Sequence, residues 1–394
     1  MPRWTVPLVS AFIAALFAAG VVVAATAGND DTDGSAAPVS STSSTTGAGS
    51  TSTTTTAPVA GTIEEVVPVI QAFVEKERGL TFKAPVDVKL LDDEEFEARV
   101  VETDAEDEKD IADAEAVLQA MGLLDEDEDL SAIVRSFTAG AVLGFYDPET
   151  KELVVRGARP TPFVRAVLAH ELLHALEDQN FDLNRDELGD EASFGFAALA
   201  EGSALRIEDR YRQSLTRAER RAADREERAL GGNVPNVPEI VEVLFGFPYA
   251  FGPDVVAAIV KAGGQARLDA AYADPPASSE HVIEPERYLT GDKPRSVPTP
   301  AADGAAFDDG EIGQLVLTFM LRSELDDDDA REAADGWGGD HYVAWREGDR
   351  TCVRMDFVMD TPKDTAEVTA ALAEWADGRN GSAVATGTSL RTCG

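Results

Sequence analysis

The chain has 394 residues, 44% of them hydrophobic, which is enough for one large domain or two medium ones with a sizeable core. Its 73 acidic residues face 34 basic ones, for a net charge of −39. That charge repels phosphate backbones and argues against nucleic acid as a partner; its plainest consequence is a solvated, soluble surface.

In chain order, Arg3 precedes an apolar run from Val6 to Ala27, and Asp30, Asp31 and Asp33 follow it. Basic before and acidic after orients such a segment for export. Ala25-Thr26-Ala27 suits signal cleavage, yet the run is also long enough to span a bilayer. Residues 1–28 are therefore read as a signal peptide or a membrane anchor, and the protein as secreted or held in the cell envelope. Residues 29–62 are rich in Ser, Thr, Ala and Gly, so they bury too little to offset their ordering entropy. They are read as a disordered linker.

The folded part is expected over 63–394. Ile63, Val66, Val67, Ile70, Phe73 and Val74 form a helical stripe, and Val86, Val88 and Leu90 alternate as a strand. Asp92 to Leu124 reads as an acidic helical stretch. Residues 63–135 are either an N-terminal subdomain or an inhibitory propeptide. Ala141 to Asp147 and Glu152 to Arg156 predict a hairpin. Thr161 and Pro162 open a helix running to about Asn180. A second long helix is expected from Glu191 to Leu230, its charged part from Arg206 onward exposed. The Pro- and Gly-rich stretch from Pro235 to Pro300 predicts short helices. An apolar helix (Glu311 to Leu325), a strand pair (His341 to Trp345, Cys352 to Met359) and a last helix (Thr365 to Trp375) follow. The class is α+β, largely helical with a small sheet. Cys352 and Cys393 form an even pair in an exported chain, which predicts a disulfide; the alternative is two buried thiols.

The stretch His170-Glu171-Leu172-Leu173-His174 carries the chemistry. On a helix the two histidines are one turn apart and point the same way, so both imidazoles reach one zinc ion. Glu171 lies beside that position, where it can take a proton from a bound water as general base. A third ligand is needed, and Glu201 is the candidate: a lone carboxylate among Ala198, Leu199, Ala200 and Gly202, costly to bury without a cation. Gly202 and the alanines also predict a close approach to the motif helix. His281 and His341 are rival third ligands. Glu177 sits one turn past His174, Asp178 reads as a partner to a metal-bound histidine, and Glu208 and Asp209 fall in the solvated part.

His170 to Leu183, with Ala198 to Gly202, resembles the gluzincin metallopeptidases and, more narrowly, a family of uncharacterised bacterial predicted zinc peptidases. Pro248-Tyr249, Pro275 to Tyr288 and Gly336 to Asp340 also look like that family. The resemblance implies a zincin-like fold, with an edge strand from the hairpin pairing with extended substrate. It departs at one place: the family's pattern has His directly before Pro-Glu, whereas here Glu284 precedes Pro285-Glu286 and the imidazole is at His281. His281, Tyr288 and Tyr342 are the candidates for stabilising the oxyanion. The expected function is an exported zinc endopeptidase. The alternatives are an envelope scaffold that keeps the fold with little activity, and a zinc hydrolase of a non-peptide bond.

Overall fold

A computed structural model describes residues 61–101, 105–185, 187–231 and 236–394. The expected signal or anchor segment and the expected linker up to residue 60 lie outside the described residues.

The first half is organised by a three-stranded sheet of order β1-β3-β2: β1 (Asp87–Leu91), β2 (Gly144–Tyr146) and β3 (Glu152–Arg156). β3 runs parallel to β1 and antiparallel to β2, so the expected hairpin is present with β2 at an edge. Period-2 alternation divides the core. Leu153, Val155 and Tyr146 face one apolar cluster, which holds α1 (Ile63–Arg78) and α5 (Pro162–Phe181). Phe145 and Val154 face a second, larger cluster. That cluster takes side chains from α2 (Asp93–Val100), α3 (Ala105–Met121) and α4 (Leu130–Ala141). The acidic stretch from Asp92 is thus two helices, not one.

α5 begins as the sequence predicts: Val164 N donates to Thr161 Oγ1 at 3.1 Å, with Pro162 in the first turn. The long helix expected from Glu191 to Leu230 is instead α6 (Asp190–Ser214) and α7 (Arg217–Gly231). Thr216 breaks it by capping the new helix: Glu219 N donates to Thr216 Oγ1 at 3.2 Å, and Thr216 N donates to the Glu219 carboxylate at 3.0 Å.

The Pro- and Gly-rich stretch departs most from expectation. It contains α8 (Glu239–Ala271), a 33-residue helical element kinked at Gly263 and Gly264 and holding Pro248 and Pro253. Each proline costs about 3 kcal/mol in a helix interior. Ile240, Val241, Leu244, Phe245, Phe247, Val255, Val256 and Ile259 are all buried, at roughly 1.5–3 kcal/mol for each large side chain, and outweigh it. The short helices α9 (Ser279–Ile283) and α10 (Pro285–Thr290) follow.

The C-terminal part is a five-stranded antiparallel sheet of order β4-β5-β6-β8-β7. Its strands are β4 (Ala306–Gly310), β5 (Trp337–Glu347), β6 (Arg350–Met359), β7 (Ala383–Thr386) and β8 (Ser389–Cys393). Helices α11 (Gly313–Arg322), α12 (Asp327–Ala334) and α13 (Pro362–Gly378) accompany it. Cys352 stands directly opposite Cys393 on the neighbouring strand, and the two are bridged as expected. The class is α+β.

Candidate metal centre

α5 is buried almost all round from Phe163 to Asp178, and His170 and Glu171 sit at its most enclosed level. α6 crosses beside it and brings Glu201 to the two histidines. His170 Nε2 is 3.1 Å from Glu201 Oε2, and His174 Nε2 is 3.6 Å from the same oxygen. The imidazole rings stand 4.9 Å apart between centres. One nitrogen from each ring and one oxygen of Glu201 all lie within 4.8 Å of one another. Two ligands held 2.0–2.1 Å from a tetrahedral zinc ion stand roughly 3.3–3.4 Å apart, so the spacing matches ligands around one ion.

The hydrogen bonds support a cation here independently. His170 Nδ1 faces Glu208 Oε2 at 3.2 Å while its Nε2 faces Glu201. A neutral imidazole has only one N–H, so without a cation both contacts require a charged ring. Burial opposes that charge, but the carboxylates of Glu201 and Glu208 outweigh it and hold the His170 pKa up at about 10. Burial likewise resists ionisation of Glu201, yet the histidines hold it down at about 2. His174 Nε2 and both oxygens of Glu171 are buried without a close hydrogen bond, His174 Nε2 standing 3.6 Å from Glu201 and Glu171 facing the Tyr146 main chain. Burial, reinforced by Glu201 and Glu208 and opposed by His170, pushes the Glu171 pKa well up. A divalent ion among these groups would reverse that logic and satisfy the orphaned atoms. The residues present fit a zinc ion, with His170, His174 and Glu201 holding it.

Glu208 corrects the sequence reading. It was placed on a solvated face but is 5% exposed. Seven residues past Glu201, about two helical turns, it lies along the same side of α6. It orients His170, and Arg212 Nε donates to it at 2.8 Å. Asp178, the partner expected for that task, does something else. It accepts from Tyr146 Oη at 2.7 Å, Lys151 Nζ at 2.8 Å and Leu183 N at 3.1 Å, pinning the hairpin to the end of α5. Glu177 takes Arg78 Nε at 2.6 Å and Ser203 Oγ at 2.7 Å, and Tyr272 Oη also donates to it.

The close approach expected of Gly202 is real, but its partner is α8 rather than the motif helix. A Cβ on Gly202 would lie 2.1 Å from Gly252 O, and one on Gly252 would lie 2.3 Å from Ala198 O. This crossing carries Tyr249 to the centre. Burial, then the charges of Glu201 and Glu171, push the phenol's pKa well up, and the hydroxyl faces the Glu201 carboxylate. Pro248-Tyr249 stands out in the sequence as a family-like motif, but nothing local gives Tyr249 a place in the site. Gly144 of β2 was also missed: a Cβ there would lie 3.1 Å from Glu171 Oε1, so the glycine lets the edge strand lie against the carboxylate.

The other candidates have partners elsewhere. His281 Nδ1 accepts from Ala277 N at 3.0 Å, and burial followed by Lys293 pushes its pKa down to about 4. Tyr288 Oη donates to Asp274 O at 2.8 Å. His341 pairs with Asp309 at 3.1 Å, and Tyr342 Oη donates to Asp308 at 2.6 Å. Among the described residues neither His281 nor His341 joins the His170, His174 and Glu201 group.

A family model described as a domain of unknown function (DUF8575) matches residues 301–392. That match spans β4 to β8 and lies wholly outside the candidate centre on α5 and α6. No curated protein and no solved structure matches the chain.

Proposed function

We propose that the protein is an exported zinc-dependent endopeptidase with a zincin-like arrangement, in which His170, His174 and Glu201 hold the metal. The observation that carries this reading is the convergence of two buried imidazoles and a carboxylate at tetrahedral-edge spacing, beside a buried carboxylate without a close hydrogen bond. When bound, zinc would supply Lewis acidity toward the scissile carbonyl and lower the pKa of a water in its open position.

Every other part of the chemistry belongs to the chain. Glu171 takes the proton of the attacking water on its carboxylate and returns it to the leaving amine. Glu208 holds His170 with Nε2 directed at the ion, by accepting from Nδ1. β2, the sheet edge that backs onto Glu171 through Gly144, offers its main chain to an extended peptide by strand addition.

The burial of all four residues, none more than 6% exposed, favours one second reading: a zinc-holding scaffold of the cell envelope. A buried Glu171 without a close hydrogen bond argues against it, because a metal held only for structure needs no base. The test is bound-metal analysis of the chain from residue 61 onward, for wild type and Glu201→Ala, together with cleavage of a peptide library with and without chelator. One zinc per wild-type chain, loss of it in Glu201→Ala and chelator-sensitive cleavage are expected. Zinc without cleavage selects the scaffold, and a chain that takes no zinc ends both readings.

A further inference from the structure

Glu208 divides its carboxylate between two partners. Oε2 faces His170 Nδ1 at 3.2 Å, and Oε1 accepts from Arg212 Nε at 2.8 Å. Arg212 is itself gripped from its far side. Its Nη1 and Nη2 donate to the two oxygens of Glu227 at 3.1 Å and 3.0 Å, and its guanidinium carbon lies 5.7 Å from the Phe163 ring centre. A two-pronged arginine–carboxylate pair fixes the plane of the guanidinium as well as its place. Glu227 is on α7, which the Thr216 cap folds back against α6, so that residues 15 positions apart meet.

Glu227 matters to the centre in two ways. It occupies both outer nitrogens of Arg212. Freed of it, Arg212 could turn its fork onto both oxygens of Glu208, the stronger arrangement for such a pair, and draw Oε2 away from His170. Glu227 also offsets the Arg212 charge, which leaves more of the Glu208 charge for the imidazole. The other polar contacts of α7 have no such path. Thr161 Oγ1 donates to Glu226 at 2.9 Å and Arg165 Nη2 to Glu219 at 2.8 Å; both fasten α7 to α5, and neither bond reaches Glu208.

We infer that Glu227 is a positioning residue of the metal centre: through Arg212 it holds Glu208 so that His170 presents Nε2 to the ion. The inference rests on the zinc reading above and extends the centre to a third helix.

The experiment measures zinc affinity by chelator competition in the full chain, for wild type, Glu227→Ala, Glu227→Gln and Glu226→Ala, and for Glu227→Ala combined with Glu208→Gln. Glu226→Ala is the matched control, because it removes the same side chain from the next position of the same helix and also loosens α7 from α5. Glu227→Ala should weaken zinc binding by about 3–10-fold, less than direct loss of the carboxylate that orients the ligand. Glu227→Gln, which keeps one acceptor oxygen, should lose less. Glu226→Ala should stay within about twofold of wild type. In the Glu208→Gln background Glu227→Ala should add less than about twofold, because the path it acts through is already cut. Unchanged affinity in Glu227→Ala overturns the role. Equal losses at 226 and 227 make the effect one of α7 docking, and a full additional loss in the Glu208→Gln background sends it by another route; each also overturns the role. Should the alanine variant not fold, Glu227→Gln against Glu226→Ala decides in the same way. All these failures leave the zinc reading standing, whereas a wild-type chain that takes no zinc ends that reading and this role together.

Discussion

Arg78, the last residue of α1, is 1% exposed and pairs with Glu177, which is fully buried three residues past His174. Its Nη1 reaches Asp269, and its guanidinium carbon lies 5.4 Å from the Phe181 ring centre and 5.9 Å from that of Tyr272. Arg78→Met keeps most of the stem packing and removes the charge. Glu177 would retain the hydroxyls of Ser203 and Tyr272 but face them with an uncompensated negative charge. Removing one partner of a buried pair costs about 3–5 kcal/mol. For a unit of roughly 330 residues the unfolding entropy is about 0.7 kcal/mol/K, so the midpoint should fall by about 4–7 °C. Thermal unfolding followed by far-ultraviolet circular dichroism measures this. Adding Glu177→Gln should recover part of the loss, because the stranded carboxylate is its source. A midpoint shift under about 1 °C, or a double variant no better than the single one, would refute the reasoning. The outcome also bears on residues 63–135. Val66, Ile70 and Val74 are buried against α5, and Arg78 closes a network touching both helices of the metal centre. A cleavage that removed α1 would strand Glu177, so α1 packs as part of the folded unit.

Glu171→Gln should keep one zinc per chain and lose turnover by about 10²–10⁴-fold; unchanged peptidase activity would remove Glu171 from its role. Glu208→Gln should weaken zinc affinity by about 10–100-fold in a chelator competition, and undiminished affinity would show that His170 is oriented some other way. The third prediction concerns pH. Burial pushes Glu191, which faces Asp340 and Glu311 and accepts from Ser279, up to about 8. Its folded pKa lies above the unfolded value, so its contribution is complete below about pH 4.5 and is lost as pH rises toward 8. The urea midpoint should therefore fall from pH 5 to pH 8, with this residue giving up to about 1.4 kcal/mol per pH unit. Glu191→Gln should flatten that slope, and an unaltered slope would exclude Glu191 as its source.

The parts of the fold that the sequence revealed are those set by local signals. The cap at Thr161, the hairpin, the disulfide strands and the α5 motif each depend on residues a few positions apart. Glu208 was hidden because the thirteen charged residues from Arg206 to Glu227 read as a solvated face, whereas the burial of any one of them depends on which helix crosses α6. α8 was hidden because Pro248, Pro253 and several glycines outweigh its apolar residues in any local account, while in the structure tertiary burial outweighs the prolines. Pro248-Tyr249 was legible as a motif but not as part of the site: its place beside Glu201 comes from the Gly202–Gly252 crossing, between residues 50 positions apart. Gly202 itself was legible as a point of close approach, but not the helix that approaches it.

The centre makes sense as a whole only when its donors are counted. Three carboxylates, Glu171, Glu201 and Glu208, meet two imidazoles within a space almost closed to water. Of these three carboxylates Arg212 reaches only Glu208, and its other nitrogens go to Glu227. The protein's own N–H groups here are at most two per charged ring, and His170 already directs both of its nitrogens at carboxylates. His174 Nε2 then has only a long approach to Glu201, at 3.6 Å, and the Glu171 oxygens lack a close donor. Protonating every group would relieve the repulsion but would leave those lone pairs unmet, which is costly in so dry a place. A dication with one water would meet all of these needs together: His170, His174 and Glu201 would hold it, Glu171 would accept from the water, and Nδ1 of His170 would keep its single proton for Glu208. One change would therefore satisfy five groups at once.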